Sequence, residues 1–394
     1  MIRLNLLLLA LSACAAEATD VPGGDDDTQP DAGDPPVPPD GTEPPLGCAW
    51  TSVKVGTTPW TGLSGLDLAV ASSDHDAAIF TALLGDHREL VAAHRTGDTV
   101  AVQAYSVPLI ANSTDSVSGV FSANAALHIA FTNEEAGSSL QGGLSYSAAP
   151  GSSVFLDGAG PLGTVANAKI VLGGDGRVRI AYRVQTGTDK RIAVATGIGS
   201  SFSINAALID GALATLPSIA LDAAGKTHVL DRQLDATGRV FHTVETATGW
   251  TQPDIVPTIG GLASTASMAV AADGIVHISR TDVGKIIYAH GKGVDWQVET
   301  ITNAAGIDPA ASTQAVVAAV GTDGTIHTLW DDSTRRKLFY TPVGGAKAEI
   351  PVTIPATAKL TSFLVKATAS GPHVLYTAAR TAADPQEMFI ATCR

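Results

Sequence analysis

The sequence is poor in aromatic residues, in charge and in cysteine. Of its 394 residues, 5% are aromatic, 16% are charged and 3 are Cys, whereas 45% are hydrophobic and 40 are Gly. No stretch repeats its apolar residues at helical spacing between capping signals, which argues against a largely helical fold. Short alternating runs rich in Val, Thr and Ala, separated by Gly-containing turns, instead predict an all-β protein.

Basic residues are also scarce. The chain has 24 Lys and Arg against 38 Asp and Glu, a formal net charge of −14. Nucleic-acid binding depends on clustered Lys and Arg that neutralise phosphates, and the sequence has no such cluster. We therefore expect no nucleic-acid partner.

The sequence lacks the motifs that usually carry catalysis or bind metals. It contains no Gly-rich phosphate loop, no G-x-S-x-G elbow and no H-E-x-x-H helix. His75, His87 and His94 lie near one another in sequence but do not have the compact spacing of a zinc site. We expect no catalytic residues, cofactor or metal, and an enzyme is the alternative interpretation rather than the leading one.

Residues 1–13 have the form of a lipoprotein signal peptide. Arg3 supplies a positive start, Leu4 to Leu11 form a short apolar segment, and Leu-Ser-Ala-Cys ending at Cys14 resembles a lipobox. The apolar segment is too short to cross a bilayer. Cys14 is thus predicted to be lipidated. Ala15 after it resembles the sorting signal of enterobacterial lipoproteins that go to the outer membrane, and that resemblance implies the same destination here. An ordinary signal peptide followed by an incidental Cys is the alternative.

Residues 14–47 are predicted to be the lipidated Cys14 and a disordered, acidic, Pro-rich tether. Between Glu17 and Glu43 lie 9 of the 38 acidic residues and no Lys or Arg. A segment with so few large apolar residues cannot offset the entropy of ordering. Calcium binding by its Asp run is not favoured, because the Gly turn and terminal Glu of a calcium loop are missing.

Residues 48–394 contain a unit that occurs seven times. Each unit has an apolar run, an Asp/Gly turn, a second run, a third run and a fourth that often starts with Trp. One position at the start of the second run recurs at intervals of 46 to 51 residues, occupied by Ala78, His128, Arg179, His228, His277, His327 and His373. Four strands in about 49 residues make a propeller blade. The prediction is a seven-bladed β-propeller of four-stranded blades.

The two ends of this region complement each other. The last unit has only three strands, and the run from Cys48 to Val55 matches the fourth strand of another unit, DWQVETI. The N-terminal strand is therefore predicted to complete the last blade and to close the ring without an exposed edge. In that pairing Cys48 and Cys393 come close to a strand turn, and an exported pair of this kind is expected to form a disulfide.

With an Asp/Gly turn followed by x-x-H-hydrophobic-x-aromatic, the units resemble the repeats of secreted bacterial β-propeller lipoproteins with sialidase-like repeats. The resemblance covers residues 48–394 and implies the propeller fold. It implies little about activity, because propellers carry many unrelated functions. The S-x-D-x-G-x-T-W boxes of sialidases are absent, so no sialidase residue is carried over to this chain.

The recurring histidines are predicted to be structural. They begin the second strand of each blade, one strand spacing of about 4.7 Å outward from the central channel, so they cannot converge on one ion. We expect each imidazole to hydrogen-bond the Asp/Gly turn or a neighbouring blade. The aromatic residues three positions later are expected to pack between blades; they are Phe131, Tyr182, Trp330 and Tyr376.

The candidate ligand-binding face carries the second-to-third and fourth-to-first strand loops, which are polar. Four residues from adjacent blades are predicted to form a shallow polar site for a glycan or a protein: Arg280, Asp331, Asp332 and Arg335. The sequence thus predicts a monomeric, lipid-anchored binding or scaffolding module of the cell envelope, exported to the outer membrane. The alternatives are a carbohydrate-active hydrolase or lyase on the same fold, and a purely structural envelope component.

Overall fold

The computed structural model describes residues 49–393 apart from short gaps. The gaps are 86, 106–115, 134–142, 159–162, 188, 210–215, 233–238, 258–265, 283–284, 294, 302–315, 333, 369–370 and 382. The predicted signal peptide, the lipidated Cys14, the tether and Cys48 lie outside the described residues, so those expectations stay predictions. In the described part of the chain there are 29 strands and no helix. Within these ranges nothing qualifies as a membrane-spanning helix by length and apolarity.

The strands form seven antiparallel sheets, each a blade. The first strand in the chain is β1 (Trp50–Lys54). Blade 1 contains β2 (Thr61–Ser72), β3 (His75–Leu84), β4 (His87–Thr96) and β5 (Thr99–Ala104); blade 2 contains β6 (Val117–Phe121), β7 (Leu127–Asn133), β8 (Gly143–Ala149) and β9 (Ser152–Gly158); blade 3 contains β10 (Gly163–Leu172), β11 (Val178–Thr186), β12 (Asp189–Ile198) and β13 (Ser201–Ile209).

The remaining blades repeat this order. Blade 4 contains β14 (Ser218–Leu221), β15 (Thr227–Arg232), β16 (Val240–Thr246), β17 (Gly249–Trp250) and β18 (Asp254–Val256), the last two both pairing with β16; blade 5 contains β19 (Ser267–Val270), β20 (Val276–Asp282), β21 (Lys285–Lys292) and β22 (Asp295–Ile301); blade 6 contains β23 (Val316–Val320), β24 (Ile326–Asp331), β25 (Leu338–Pro342) and β26 (Ala348–Ile350). Blade 7 contains β27 (Lys359–Thr368), β28 (Gly371–Ala379), β29 (Glu387–Cys393) and, from the other end of the chain, β1.

The N-terminal strand closes the ring, as predicted. β1 pairs antiparallel with β29, from Trp50 opposite Cys393 to Lys54 opposite Phe389. Blade 5 has the same register at its outer edge, where Trp296 lies opposite Gly291. The sequence match between the two Trp-containing strands therefore reflects equivalent positions in two blades. The seven-bladed, four-stranded architecture is confirmed.

The hydrophobic core consists of seven clusters, one at each interface between neighbouring blades. At the interface of blades 1 and 2, Ile79 packs in the same cluster as Phe131. At the closing interface, Phe80 of blade 1 shares a cluster with Leu375 and Ile390 of blade 7. Successive side chains of a strand point to opposite faces of its sheet, so each blade is buried on both sides. This explains the high apolar content and the shortage of charge.

The first strand of each blade lies innermost. The first strands of neighbouring blades contact one another around the ring, and polar side chains join several of them. The backbone amide of Ile170 in β10 donates to Ser118 Oγ in β6 at 3.3 Å, and that of Val320 in β23 donates to Ser267 Oγ in β19 at 3.3 Å. The first strands therefore surround the central channel.

The turns between first and second strands are tight and repeat from blade to blade. In four of them a glycine has a φ between 74° and 84°: Gly176, Gly225, Gly274 and Gly324. A side chain is disfavoured in that left-handed region, so glycine has a structural role at each of these four turns.

Candidate functional site

The recurring histidines lie where the sequence predicts, at the start of the second strand of their blades. Three of them have the same type of hydrogen-bond partner. His128, His277 and His327 each place Nδ1 beside a tyrosine hydroxyl on the third strand of the same blade. The pairs are His128 with Tyr146 at 2.5 Å, His277 with Tyr288 at 2.6 Å and His327 with Tyr340 at 2.7 Å. The expectation that these rings bond the Asp/Gly turn or a neighbouring blade is therefore wrong for these three.

The electrostatics of these pairs favour a neutral histidine. Burial lowers the pKa of His128 and of His277, and it lowers the pKa of His327 to about 4. Burial also raises the pKa of Tyr288 to about 12. A neutral imidazole and a neutral hydroxyl therefore share each hydrogen bond, which satisfies both buried polar groups without a charge.

The neighbouring blade still contributes a contact to His277. A Cβ placed on Gly324 would lie 2.9 Å from Cε1 of His277. The Asp/Gly turn of blade 6 thus packs on the histidine of blade 5. Glycine is needed at that turn for close approach as well as for its positive φ.

The other polar positions in the series vary. Arg179 donates to Asp175 of its own Asp/Gly turn, with Nη2 3.0 Å from Oδ2. His228 Nδ1 lies 3.0 Å from Nε2 of His242 on the third strand. Burial, followed by the proximity of His228, lowers the pKa of His242 to about 3, so this pair is uncharged at neutral pH. These partners differ from blade to blade, which points to local satisfaction rather than a shared ligand.

His373 of blade 7 bonds across the ring closure. Its Nδ1 lies 2.8 Å from Oδ2 of Asp76 in blade 1, in agreement with the expected neighbouring-blade contact. Arg95 of blade 1 donates to the same carboxylate, from Nε at 2.9 Å and from Nη2 at 2.6 Å. Arg95 and Asp76 are both fully buried. Because further Arg95 donors reach the carbonyls of Ser73 and Gly97, the charges are compensated by hydrogen bonds.

Two of the four predicted ligand-binding residues are not on the surface. Arg280 belongs to β20 and Asp331 to β24, and their exposed fractions are 0% and 1%. The expectation that both lie in open loops is wrong, because the second strands continue through these polar residues. Asp231, at the end of the second strand in blade 4, is buried as well. Ligand binding by Arg280 and Asp331 therefore stays a prediction that their burial does not support.

The other two predicted residues form an ordered turn between β24 and β25. Asp332 Oδ1 accepts the amides of Arg336 at 2.8 Å and Lys337 at 3.0 Å, and its Oδ2 accepts the Thr334 hydroxyl at 2.6 Å. Burial opposes ionisation of Asp332, but these hydrogen bonds outweigh it and hold its pKa below the ordinary value. Asp332 therefore acts as the organiser of the turn.

Arg335 lies at the tip of this turn in a strained conformation. Its φ is +57°, a region that non-Gly residues rarely adopt. Its side chain is 46% exposed, and its Nε lies 3.5 Å from Oδ2 of the buried Asp331. The buried carboxylate of Asp331 thus forms an ion pair with the partly exposed Arg335 side chain.

The turn is also fixed to the segment that leads into blade 7. The amide of Leu360 donates to the carbonyl of Arg335 at 2.7 Å. The guanidinium of Arg336 donates to the carbonyls of Ala356 and Ala358, the latter at 3.0 Å. These bonds hold the turn against the next blade, so Arg335 is presented by a rigid support.

A separate open groove of about 430 Å³ lies between blades 3 and 4. Its lining includes Thr196 and Asn205 on one side and Glu245, Thr248 and Trp250 on the other. It lies at the outer strands, next to the turn that joins β16 to β17. No sequence pattern pointed to this groove.

His75 and His94 take part in packing. Their rings are 6.3 Å apart, and the ring of Phe121 in blade 2 lies 4.7 Å from His75 and 6.0 Å from His94. Burial, followed by the proximity of His75, lowers the pKa of His94. Over the ranges that the structure covers, no three His, Cys, Asp or Glu side chains are grouped so as to hold a metal ion.

No protein-family model and no curated protein is significantly similar to the sequence. Among solved structures, the polysaccharide lyase Uly1 is 11% identical with a TM-score of 0.53, covering 84% of this chain and 90% of the lyase. The Hadza microbial sialidase Hz136 is 14% identical over 69% of this chain, with a TM-score of 0.47; this chain spans 63% of the sialidase. The six-bladed fucose-binding lectin of Aleuria aurantia is 15% identical over 76% of this chain and 99% of the lectin, with a TM-score of 0.44. At these identities, the likeness to the lyase supports the propeller fold alone.

Proposed function

We propose that this chain is an exported lipoprotein, anchored to the outer membrane through Cys14, whose propeller binds a glycan or a protein. The binding site that the geometry favours is the turn between β24 and β25. In this proposal the predicted tether, residues 14–47, holds the propeller away from the membrane. The anchor and the tether rest on the sequence patterns, and the site rests on the contacts of Arg335.

The observation that carries the proposal is the strained and supported conformation of Arg335. A non-Gly residue at positive φ costs on the order of 1 kcal/mol and persists only where the surroundings impose it. Here Asp332 fixes the turn, and the carboxylate of Asp331 forms an ion pair with Nε of Arg335. The Arg335 side chain is partly exposed, and a planar guanidinium suits a carboxylate or the hydroxyls of a sugar. Backbone strain of this kind is often found at functional positions.

The same contacts favour binding over catalysis at this turn. Glycoside hydrolysis uses two carboxyl groups that flank the scissile bond. Asp331 is buried beneath Arg335, and Asp332 is engaged by two amides and a hydroxyl. Both carboxylates therefore support the turn. The likeness to a polysaccharide lyase concerns the fold and does not assign its reaction to this chain.

The test compares the full-length protein with two arginine variants on a glycan array and in a co-purification experiment from envelope extracts. Arg335→Ala is expected to lower the affinity for the captured ligand about tenfold or more, because a charge-assisted hydrogen bond is lost. Arg177→Ala is the matched control, since Arg177 is an exposed arginine in a first-to-second strand turn, at the opposite end of the strands.

Two outcomes would contradict the proposal. Equal binding by the wild type and Arg335→Ala would show that the turn is not part of the binding site. Turnover of fluorogenic glycosides or polysaccharides that disappears in Asp332→Asn would favour the carbohydrate-active hydrolase or lyase instead.

A further inference from the structure

Three ionisable side chains from three blades lie on the inner strands. Asp67 lies in β2 of blade 1, Lys169 in β10 of blade 3 and Lys366 in β27 of blade 7. Each of the three interacts electrostatically with the other two. Because the first strands surround the central channel, this cluster of two ammonium groups and one carboxylate lies at the channel.

Asp67 is already committed to other groups. Its Oδ1 lies 3.4 Å from Nζ of Lys366, and its Oδ2 accepts the amide of Gly119 in blade 2 at 3.0 Å. It is 3% exposed. Burial opposes its ionisation, but Lys366, Lys169 and the amides outweigh burial and lower its pKa. Asp67 is therefore the charged partner of Lys366.

Lys169 is left as the extra positive charge. Among the residues that the structure describes, no group forms a hydrogen bond or an ion pair with its ammonium. Burial lowers its pKa, Asp67 opposes that effect, and Lys366 lowers the pKa further by repulsion. The cluster thus sets two lysine amino groups against one carboxylate.

The backbone around Lys169 is built to hold it there. The register of β10 against β11 shifts between Ala166 and Lys169, and Asn167 within this bulge has a φ of +58°. A bulge of this kind redirects the side chain that follows it. The amides on either side of Lys169 are fixed to blade 2, that of Ala168 by Ser116 Oγ at 2.9 Å and that of Ile170 by Ser118 Oγ at 3.3 Å.

We propose that the central channel binds a small oxyanion, a carboxylate or a phosphate, between Lys169 and Lys366. Such an anion would neutralise the excess charge and would supply the acceptor that Lys169 lacks among the described residues. The Lys366 side chain is 41% exposed, so the cluster is open to solvent. This site uses none of the residues of the β24–β25 turn and is independent of the function proposed for that turn.

The test measures thermal unfolding and calorimetric binding of the full-length protein with sodium phosphate and, separately, sodium acetate, at an ionic strength held constant with chloride. The variant is Lys169→Met, which keeps the apolar stem and removes the charge. Lys226→Met is the matched control, because Lys226 is an exposed lysine in a first-to-second strand turn.

The wild type and Lys226→Met are expected to gain about 2 °C or more in Tm at saturating anion, and Lys169→Met to gain none. A response to phosphate alone assigns the site to phosphate, and a response to both anions assigns it to carboxylates as well. Equal responses of the wild type and Lys169→Met, or no response of the wild type to either anion, would overturn the proposal.

A second readout separates binding from a structural role. In chloride alone, Lys169→Met is expected to unfold at the same temperature as the wild type or at a higher one, because an unneutralised charge has been removed from the channel. A lower Tm in chloride would show that the ammonium stabilises the fold itself, and would overturn the proposal.

Discussion

His373 in the last blade and Asp76 in the first blade are joined by a buried hydrogen bond of 2.8 Å between Nδ1 and Oδ2, across 297 residues of sequence. The same carboxylate is held by Arg95. The closing interface therefore has a polar link in addition to the β1–β29 pairing and the apolar cluster that contains Phe80 and Ile390.

We expect Asp76→Asn to destabilise the protein strongly. The change leaves the buried guanidinium of Arg95 without its counter-charge, which costs about 3–5 kcal/mol in the free energy of unfolding. Denaturant unfolding measures the loss. Glu387→Gln is the control, because it removes an exposed ion pair with Lys54 and should cost less than about 1 kcal/mol. Similar losses in both variants would show that the buried link contributes no more than a surface pair.

Acid should destabilise the protein through its buried neutral histidines. The pKa of His327 is about 4 in the folded state, and its ordinary value is 6.5. The unfolded chain therefore takes up the proton first, so the contribution of His327 to stability is complete above about pH 6.5 and is lost as the pH falls towards 4. His327→Gln should reduce the slope of unfolding free energy against pH in this range by up to about 1.4 kcal/mol per pH unit. A difference in unfolding free energy between the two proteins that is constant above pH 7 reflects lost packing. If the two plots of unfolding free energy against pH stay parallel below pH 6.5, the prediction is contradicted.

The predicted disulfide between Cys48 and Cys393 has a direct chemical test. Trp50 lies opposite Cys393 in the pairing of β1 with β29. Non-reducing peptide mapping of the purified protein should recover the two cysteines in one linked species. Cys393→Ser should lower the free energy of unfolding by about 5 kcal/mol in the chain-entropy model. Alkylation of both thiols in unreduced, unfolded protein would show that they are not linked.

The predicted lipid anchor depends on Cys14. Cys14→Ser should abolish acylation and move the protein from the membrane fraction to the soluble fraction, because acyl chains supply the binding energy for the bilayer. Intact mass and detergent-phase partitioning measure the two effects. The wild type should also co-sediment with outer membranes. A mature N-terminus other than Cys14 would favour the ordinary signal peptide.

The blade number and the ring closure were predictable because each repeat has a recognisable turn between its first and second strands. Each such turn marks one blade. His128 lies opposite Val120 and His277 lies opposite Ala269, so the alignment of these repeats follows the strand registers. The match of Trp50 to Trp296 similarly predicted the pairing at the closing blade.

Ala78 in the weakest repeat is one residue out of this register. Asp67 bonds blade 2 as Ser118 bonds blade 3. Ala69 and its partner Ala77 are therefore the equivalents of Val120 and His128.

The partners of the histidines were not predictable from a fixed spacing. The three tyrosines follow their histidines by 18, 11 and 13 residues, because the loops between second and third strands differ in length. The sequence signal that could have identified these partners is the tyrosine within the third-strand run of each of the three blades. The burial of Arg280 and Asp331 was missed for a different reason: polar residues at the end of a strand were interpreted as loop, although the sheet continues through them.

The pairing of β1 with β29 has a consequence for biogenesis. A chain that crosses a membrane from its N-terminus delivers Trp50–Lys54 first and their partners, Phe389–Cys393, last. The first strand to arrive therefore has no sheet to join until translocation is nearly finished, and such long-range pairing slows folding. During that interval its unpaired edge can add to another strand, so the export proposed above is expected to depend on a chaperone that protects this strand.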